Sequence, residues 1–201
     1  MNDDAVSYAG CIRRVADEDG NILEAKLGED NSLSSISGKI VGNPETMPRP
    51  RGTIKWSRAK PRNIQYYNPK QATVNALNNK LKSLVERAGL SSSVYSKDSP
   101  LAMVVYFHMK RPLTDFKSSK REKGLKPNAS PSWAAMRKDV DNLAKFFLDA
   151  GNKALYEDDK SIVVLSSARV LHSEGTCEGC TYFRIKPLRQ GDVEPFDEMI
   201  I

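Results

Sequence analysis

Residues 139–165 change from a helical pattern to a strand pattern, and this change constrains the fold more than any other stretch of the chain. Advancing 100° per residue from Asp139 gathers the apolar side chains on one face of a helix, at positions 140, 143, 144, 147, 150, 151 and 154. After a break at 151–153, the β-branched run 161–165 predicts a buried strand. We therefore expect a helix that packs against a sheet containing the strand that follows it.

A second amphipathic helix is predicted upstream. Asn68-Pro69 has the composition of an N-cap followed by a first helical residue. The apolar stripe that follows runs from Val74 to Ala88 and ends at Gly89, a residue typical of helix C-termini.

The remaining patterns predict the strands and one long loop. The stretches 36–41 and 101–109 read as strands, and 162–171 and 181–187 are expected to close the scaffold as a hairpin. Residues 43–61 are expected to form a basic, proline-containing loop. The predicted fold class is α+β, with a small mixed β-sheet packed with two main helices.

The charge distribution predicts a nucleic-acid partner. Residues 46–190 contain 27 Lys and Arg against 12 Asp and Glu, whereas residues 1–45 contain 4 against 9 and residues 191–201 contain 0 against 4. A basic body with acidic ends is typical of proteins that follow the phosphate backbone of DNA or RNA.

The same distribution suggests the domain boundaries. Residues 1–35 are polar and acidic without clear periodicity, so we expect a loosely ordered extension. Residues 36–190 are expected to form the domain, and residues 191–201 an acidic tail. The sequence contains no apolar stretch of about 20 residues, so a membrane partner is not expected, and an intracellular location is.

Carboxylates are concentrated in the predicted helix and at the entrance to its strand. The polar face of the helix carries Asp141, Lys145 and Asp149, and the pair Asp158-Asp159 precedes the strand. Clustered carboxylates repel one another unless a cation lies between them, and oxygen ligands suit a hard divalent ion such as Mg²⁺. The alternative is structural: Asp139 caps the helix, and the others form i,i+4 ion pairs with Lys145.

A long basic segment precedes this helix. Residues 111–138 contain eight Lys and Arg and are too long for a routine connection, so we interpret them as a DNA-gripping flap. The flap residues expected to contact the DNA backbone are Lys117, Lys120, Arg121, Lys123 and Lys126. Trp133 is expected to anchor the flap to the core, with stacking on an unpaired base as the alternative.

Several spaced motifs resemble one known family, the RusA-type Holliday junction resolvases. The residues that carry the resemblance are Asp139-Val140-Asp141-Asn142-Leu143, Lys145, Asp149-Ala150 and Asp158-Asp159, with weaker agreement at Arg49-Pro50-Arg51, Tyr67 and Pro69-Lys70. The likeness covers roughly residues 36–188. It implies a small α+β fold, a homodimer, and Mg²⁺-dependent nicking of two strands of a four-way DNA junction.

The resemblance also implies individual roles. Asp139, Asp141 and Asp159 match the metal-binding aspartates of the family, and Lys145 matches its essential lysine. Asp149 and Asp158 are expected either as further ligands or as residues that cap or pair. The residues expected to bind DNA outside the flap are Lys138, Arg49, Arg51 and Lys70.

We expect an endodeoxyribonuclease that resolves branched DNA with Mg²⁺, for which Mn²⁺ should substitute. The alternatives are a non-catalytic nucleic-acid-binding protein and a metal nuclease for other branched DNA. Neither His108 nor His172 is needed for this chemistry. Cys177 and Cys180 form a single C-x-x-C, expected at a hairpin tip rather than in a zinc site, because a second ligand pair is missing.

Overall fold

The computed structural model describes residues 11–30, 32–48, 51–55, 63–91, 94–117, 124–133, 138–172 and 178–189, with the backbone alone for 53–55 and 63–67. The strands in these residues are β1 (Ile12–Ala16), β2 (Ile22–Leu27), β3 (Leu33–Val41), β4 (Arg51–Lys55), β5 (Asn63–Tyr67), β6 (Leu101–Met109), β7 (Ile162–Leu171) and β8 (Cys180–Pro187). The two α-helices are α1 (Gln71–Arg87) and α2 (Val140–Gly151).

Within the described residues, six strands form one mixed sheet in the order β1-β2-β3-β8-β6-β7. All neighbours are antiparallel except β6 and β7, which are parallel. A parallel pair needs a crossover connection, and α2 provides it. The α+β prediction, with a mixed sheet and two main helices, is confirmed.

The core lies between the two helices and one face of the sheet. Alternate residues of β6 bury their side chains on this side, including Leu101, Met103 and Phe107. They meet Leu81 and Leu84 of α1 and the apolar stripe of α2. This alternation is the period-two pattern of a strand whose two faces have different surroundings.

Helix α1 matches its predicted stripe. Val74, Leu81, Leu84 and Val85 are buried, and Gly89 adopts a φ of 68° directly after the helix. The left-handed conformation lets the backbone N–H of Leu90 donate to the carbonyl oxygen of Val85, which satisfies one of the last carbonyls of the helix. The start differs by two residues: Lys70 holds the N-cap position, and Asn68 instead accepts a hydrogen bond from the Lys70 backbone N–H at 2.9 Å.

The predicted hairpin of 162–171 with 181–187 is wrong. β7 and β8 lie on opposite sides of β6, so His108 of β6 is aligned with Val170 on one side and with Cys180 on the other. Cys180 is the first residue of β8 rather than part of a hairpin tip. Cys177 lies outside the described residues.

The expectation of a loosely ordered segment before residue 36 is wrong for residues 12–27, which form β1 and β2. In β2 the side chains of Leu23, Ala25 and Leu27 are buried. A turn that ends at Gly20, whose φ is 79°, joins the two strands. Only β2 alternates clearly, and it has six residues, so the period-two signal was too short to recognise. The limits of the domain stay a prediction.

The predicted loop 43–61 also contains regular structure. Arg51–Lys55 pairs with Asn63–Tyr67 as a separate two-stranded antiparallel sheet. Hairpins of this kind are set by pairing between strands, which the charge-rich sequence of the segment did not indicate.

The crossover fixes the direction of α2. Because β6 and β7 are parallel, the helix between them returns antiparallel to both strands, and its first residue lies at the end of the sheet where β6 and β7 finish. The backbone N–H of Met47, shortly after the end of β3, donates to the carbonyl oxygen of Asn142 at 2.9 Å and so marks the same end. The last turn of α2 lies at the opposite end, where β7 begins.

Candidate active site

The first turn of α2 presents two exposed carboxylates. Asp139 holds the N-cap position with extended backbone dihedrals, yet its side chain accepts no capping hydrogen bond. Asp141 follows in the first turn, where the helix dipole favours an acidic residue. Both side chains are solvent-exposed, as is Lys145 one turn later. The capping alternative for Asp139 is therefore not realised.

The ion-pair alternative is not realised either. Among the ion pairs formed by the described residues, none joins Lys145 to Asp141 or to Asp149. An exposed i,i+4 pair contributes only about 0.3–0.5 kcal/mol, so the fold loses little without it. These three side chains are free to contact a ligand.

The last turn of α2 faces a second group of carboxylates. A short 3₁₀ turn, Asp159–Ser161, leads into β7, and Asp158 caps it by accepting a hydrogen bond from the Lys160 backbone N–H at 3.0 Å. That hydrogen bond lowers the pKa of Asp158. Burial raises the pKa of Asp159, and the neighbouring charges of Asp158 and Asp149 raise it further. A half-buried carboxylate beside two others is an electrostatic position suited to a cation.

The structure holds this end of α2 firmly. The side-chain amide of Asn78 on α1 donates to the carbonyl oxygens of Ala150 and Asn152, at 2.8 and 2.6 Å. The buried Tyr156 hydroxyl donates to the Leu148 carbonyl oxygen at 2.9 Å, and burial raises the pKa of this hydroxyl. Asp149 and Asp159 therefore stand on a well-fixed backbone.

The two acidic groups do not meet within one chain. Asp141 and Asp149 are eight residues apart on the same helix, a rise of about 12 Å. Within the described residues, no three His, Cys, Asp or Glu side chains come close enough together to hold a metal ion. The expected convergence of all the aspartates on one cation is thus not formed inside a single protomer, and the role of each residue stays a prediction.

Basic residues surround the first turn of α2. Lys138 donates from Nζ to the Pro44 carbonyl oxygen at 2.6 Å, and its burial lowers its pKa. Lys70 forms an ion pair with Glu45, a residue on the segment after β3. Glu45 could not be predicted as part of this site, because nothing local in the sequence links it to residues almost a hundred positions away.

The base of the flap is anchored by a residue that the sequence analysis did not single out. Arg111 is buried and pairs with Asp115 at 3.1 Å. It also donates to the carbonyl oxygens of Ser130 and His172, both at 2.6 Å. These bonds tie the first residue of the flap to Ser130 and to the residue after β7, at the end of the sheet where α2 begins.

The predicted DNA-binding residues are only partly described. Arg51, Lys117 and Lys126 are exposed, and Lys126 donates to the Thr114 carbonyl oxygen at 2.9 Å. The predicted contacts that lie outside the described residues are Arg49, Lys120, Arg121 and Lys123.

The expectation that Trp133 anchors the flap is wrong, because the residue is 73% exposed. It borders a shallow cavity of about 390 Å³ on the sheet face away from the helices. His108 lines the same cavity, with its ring 5.7 Å from that of His172 and 5.1 Å from that of Tyr182. Neither histidine lies among the carboxylates of α2.

The chemistry of the donor set fits a hard divalent cation. Each end of α2 offers carboxylate oxygens, and Asp139 and Asp141 are committed to no hydrogen bond or ion pair among the described residues. Oxygen ligands of this kind are those that Mg²⁺ and Mn²⁺ prefer. Asp139 and Asp141 therefore supply ligands of the chemical type that Mg²⁺ binds, although within the described residues they are fewer than three in one place.

The start of α2 places exposed aspartates beside basic residues, a combination that can hold a metal ion next to a phosphate group. A family model described as endodeoxyribonuclease RusA matches residues 42–178. The match covers most of the chain, and the chain belongs to the RusA endodeoxyribonuclease family. It includes every aspartate discussed above and omits β1, β2, β3 and β8. No curated protein matches the chain.

Membership in this family identifies the protein as an endodeoxyribonuclease, the type of enzyme that cuts DNA within a strand. In the part of the chain that the structure describes, no helix is long and apolar enough to span a membrane.

Proposed function

We propose that this protein is a Mg²⁺-dependent endonuclease that resolves four-way DNA junctions by paired, symmetric incisions as a homodimer. The observation that carries the proposal is the first turn of α2. There Asp139 and Asp141 are exposed, unpaired and surrounded by basic residues, inside the segment that matches an endodeoxyribonuclease family.

Each residue has a distinct task in the proposed reaction. Asp139 and Asp141 hold the cation, with Asp159 as a third ligand and Asp149 and Asp158 around it. When bound, Mg²⁺ supplies a water of lowered pKa and a Lewis acid at the phosphate. Lys145, one turn beyond Asp141, neutralises the charge that develops on the phosphate oxygens.

The basic residues bind the DNA backbone. Lys138 and Lys70 flank the aspartates, and the exposed Lys117 and Lys126 extend the surface along the flap. Contacts of this type fix the position of the duplex without reading its sequence. Selection of a four-way junction then depends on the spacing of two sites in a dimer, because such a junction has two-fold symmetry.

A cleavage assay on matched substrates tests the proposal. We expect the protein to cut a synthetic four-way junction in Mg²⁺ or Mn²⁺, to leave a plain duplex intact, and to be inactive in EDTA. Asp141→Asn should lower cleavage by about 10²–10³-fold or more while junction binding persists, because a negative charge that faces phosphate is removed. Asp98→Asn, at an exposed aspartate in the loop before β6, is the matched control and should cut normally.

Other results would redirect the interpretation. Junction binding without cutting in any divalent metal would identify a non-catalytic binding protein. Preferred cutting of forks or flaps would identify a nuclease for other branched DNA. Normal cutting by Asp141→Asn would remove the metal assignment at α2.

A further inference from the structure

The face of the main sheet away from α1 and α2, here called the outer face, carries a shallow recess between aromatic side chains. The residues that line it are Tyr106, His108, Trp133, Val170 and Tyr182. Tyr106 and Tyr182 are aligned neighbours on β6 and β8, and the ring of His108 lies 5.1 Å from that of Tyr182. Leu188 packs over Ala102 and Val104 near the beginning of β6, so the recess lies toward the end of that strand. Several rings therefore share one accessible surface.

The backbone around Trp133 is fixed, although its side chain is not buried. The backbone N–H of Leu171 donates to the Ser132 carbonyl oxygen at 2.7 Å, and the Arg111 guanidinium donates to the Ser130 carbonyl oxygen at 2.6 Å. The residues before Trp133 are thus tied to the end of β7, yet the indole is 73% exposed. A large ring held at the border of a recess offers a flat apolar surface to a ligand.

Basic side chains continue the outer face from the recess toward β1. On each strand the residues that point to this face alternate with those of the core. On the six described strands, the charged residues of this face are the basic Arg14, Lys26, Lys39, Arg184 and Lys186 and the acidic Glu24. Glu24 pairs with Arg14 at 3.1 Å, and the first four basic residues line a second recess of about 560 Å³. The outer face thus has the charge that attracts a polyanion.

The aromatic and basic parts of the outer face meet at Tyr182. The Nζ atom of Lys39 lies 5.7 Å from the centre of the Tyr182 ring, within the range of a cation–π contact. Burial lowers the pKa of His108, and the charges of His172 and Lys39 lower it further. His108 is therefore neutral at pH 7 and adds a flat ring rather than another cation.

This combination fits a nucleic-acid strand whose bases are unpaired. Exposed rings stack on the faces of bases, and a line of cations follows the phosphates. A duplex hides the faces of its bases inside the stack, so it would leave the rings unused. A single nucleotide is too short, because four strand spacings of about 4.8 Å separate β6 from β1, about 19 Å in all.

We propose that the outer face binds an unpaired DNA strand, with Trp133, His108 and Tyr182 against bases and the basic side chains from Lys39 to β1 against phosphates. The aromatic recess lies toward the ends of β6 and β7, which is the end of the sheet where α2 begins. An unpaired strand that leaves the first turn of α2 can therefore continue onto the outer face. The inference goes beyond the proposed function, because it adds a DNA-binding surface on the side of the sheet opposite the carboxylates.

Two probes with equal charge separate stacking from attraction of charge. We would measure, by fluorescence anisotropy in EDTA, the affinity for a labelled oligothymidine of about 12 nucleotides and for an abasic strand of the same length. Both strands carry the same phosphates, and only the first carries bases. Wild-type protein should bind oligothymidine about 10–100-fold more tightly than the abasic strand, since each stacked base adds to the affinity.

Substitution of Trp133 tests the residue that carries the proposal. Trp133→Ala should lower the preference for oligothymidine by about 5-fold or more, and Trp133→Phe should restore part of it, because a phenyl ring still stacks. Leu113→Ala is the matched control, since Leu113 is 55% exposed and lines neither recess. It should keep the preference of the wild type.

Substitution of Lys39 tests the phosphate contacts separately. Lys39→Gln should weaken binding of both strands by a similar factor and reduce the slope of log affinity against log salt by about 0.7. A change that affects oligothymidine alone would contradict the proposed role of Lys39.

Equal affinity of the wild type for the two strands would overturn the proposal, because it would show that the rings contact no base. Equal loss of preference in Trp133→Ala and Leu113→Ala would overturn it as well. The measurement contains no metal and no cleavage, so its failure in a protein that cuts four-way junctions leaves the proposed function standing. A clear preference for oligothymidine in a protein that cuts no junction would support the outer face and contradict the proposed function.

Discussion

The two ends of α2 hold the same kind of side chain in opposite surroundings. At the first turn, Asp139 and Asp141 are exposed and bordered by Lys138 and the flap. At the last turn, Asp159 is half-buried beside Asp158 and Asp149, and burial raises its pKa. The first end has the charge pattern of a DNA-binding surface, whereas the second concentrates negative charge on a rigid backbone. The comparison shows that the motif is one sequence unit but forms two separate groups of carboxylates.

The largest expected effect concerns Lys145, which we assign to the DNA-facing end. Lys145→Ala should lower turnover by about 10²–10³-fold and change junction affinity little, because the charge acts mainly on the transition state. Lys145→Arg should restore binding better than rate, since a planar guanidinium does not reproduce a compact ammonium. Lys153→Ala, at an exposed lysine beyond the other end of α2, is the control. Equal losses of turnover in both alanine variants would break the distinction between the ends.

The second effect concerns the rigidity of the other end. A Cβ at Gly151 would lie 2.8 Å from the Cζ atom of Tyr156, closer than packed atoms approach. Gly151→Ala should therefore lower the free energy of unfolding by about 1–3 kcal/mol. Adding Tyr156→Phe to this variant should recover part of the lost stability, because it removes the Tyr156 hydroxyl oxygen, the atom nearest to the new Cβ. Thermal melting of the wild type and of these two variants measures both effects, and an unchanged melting temperature in Gly151→Ala would contradict the packing described.

A smaller effect is expected from the flap. Neutralising Lys117 and Lys126 together should reduce the slope of log affinity against log salt by about 1.8, at roughly 0.9 per lost phosphate contact. Lys97 and Lys153 are exposed lysines at the far end of the molecule and form the control pair. An equal change of slope in the control pair would show that DNA contacts both ends of α2 alike.

The smallest expected effect is a pH-dependent contribution of Asp159 to stability, at the last turn of α2. Burial raises the pKa of Asp159, so its carboxyl group binds a proton more tightly in the folded protein than in the unfolded chain. Stability from this group is therefore present at low pH and is lost as pH rises through the raised pKa. At neutral pH without metal, Asp159→Asn should raise the melting temperature by about 1–3 °C, and the gain should vanish near pH 3.

The parts of the fold that were predictable are those set by local periodicity. The stripe from Val74 to Ala88, the apolar run of β6 and the apolar face of α2 each repeat at the period of their own element, and each is confirmed. The short β1 and β2 escaped because six residues or fewer give little alternation to detect. The position of β8 escaped because pairing between distant strands leaves no local signal.

The candidate site divides in the same way. Its residue types and spacing were readable, because acidic residues at a helix start and before a strand are local features. The separation of the two groups of carboxylates could not be read from the sequence, because it follows from the parallel pairing of β6 and β7, which sets the direction of α2. The roles of Arg111 and Glu45 could be seen only from their tertiary contacts.

A crystal of the wild-type protein soaked in Mn²⁺ tests the central claim most directly, because an anomalous difference map locates the ion without assuming its ligands. The assignment of the metal to the first turn of α2 predicts one strong peak per chain, contacted by Asp139 and Asp141. A peak held by Asp149 and Asp159 of a single chain, with no ion at the first turn of α2, would contradict it.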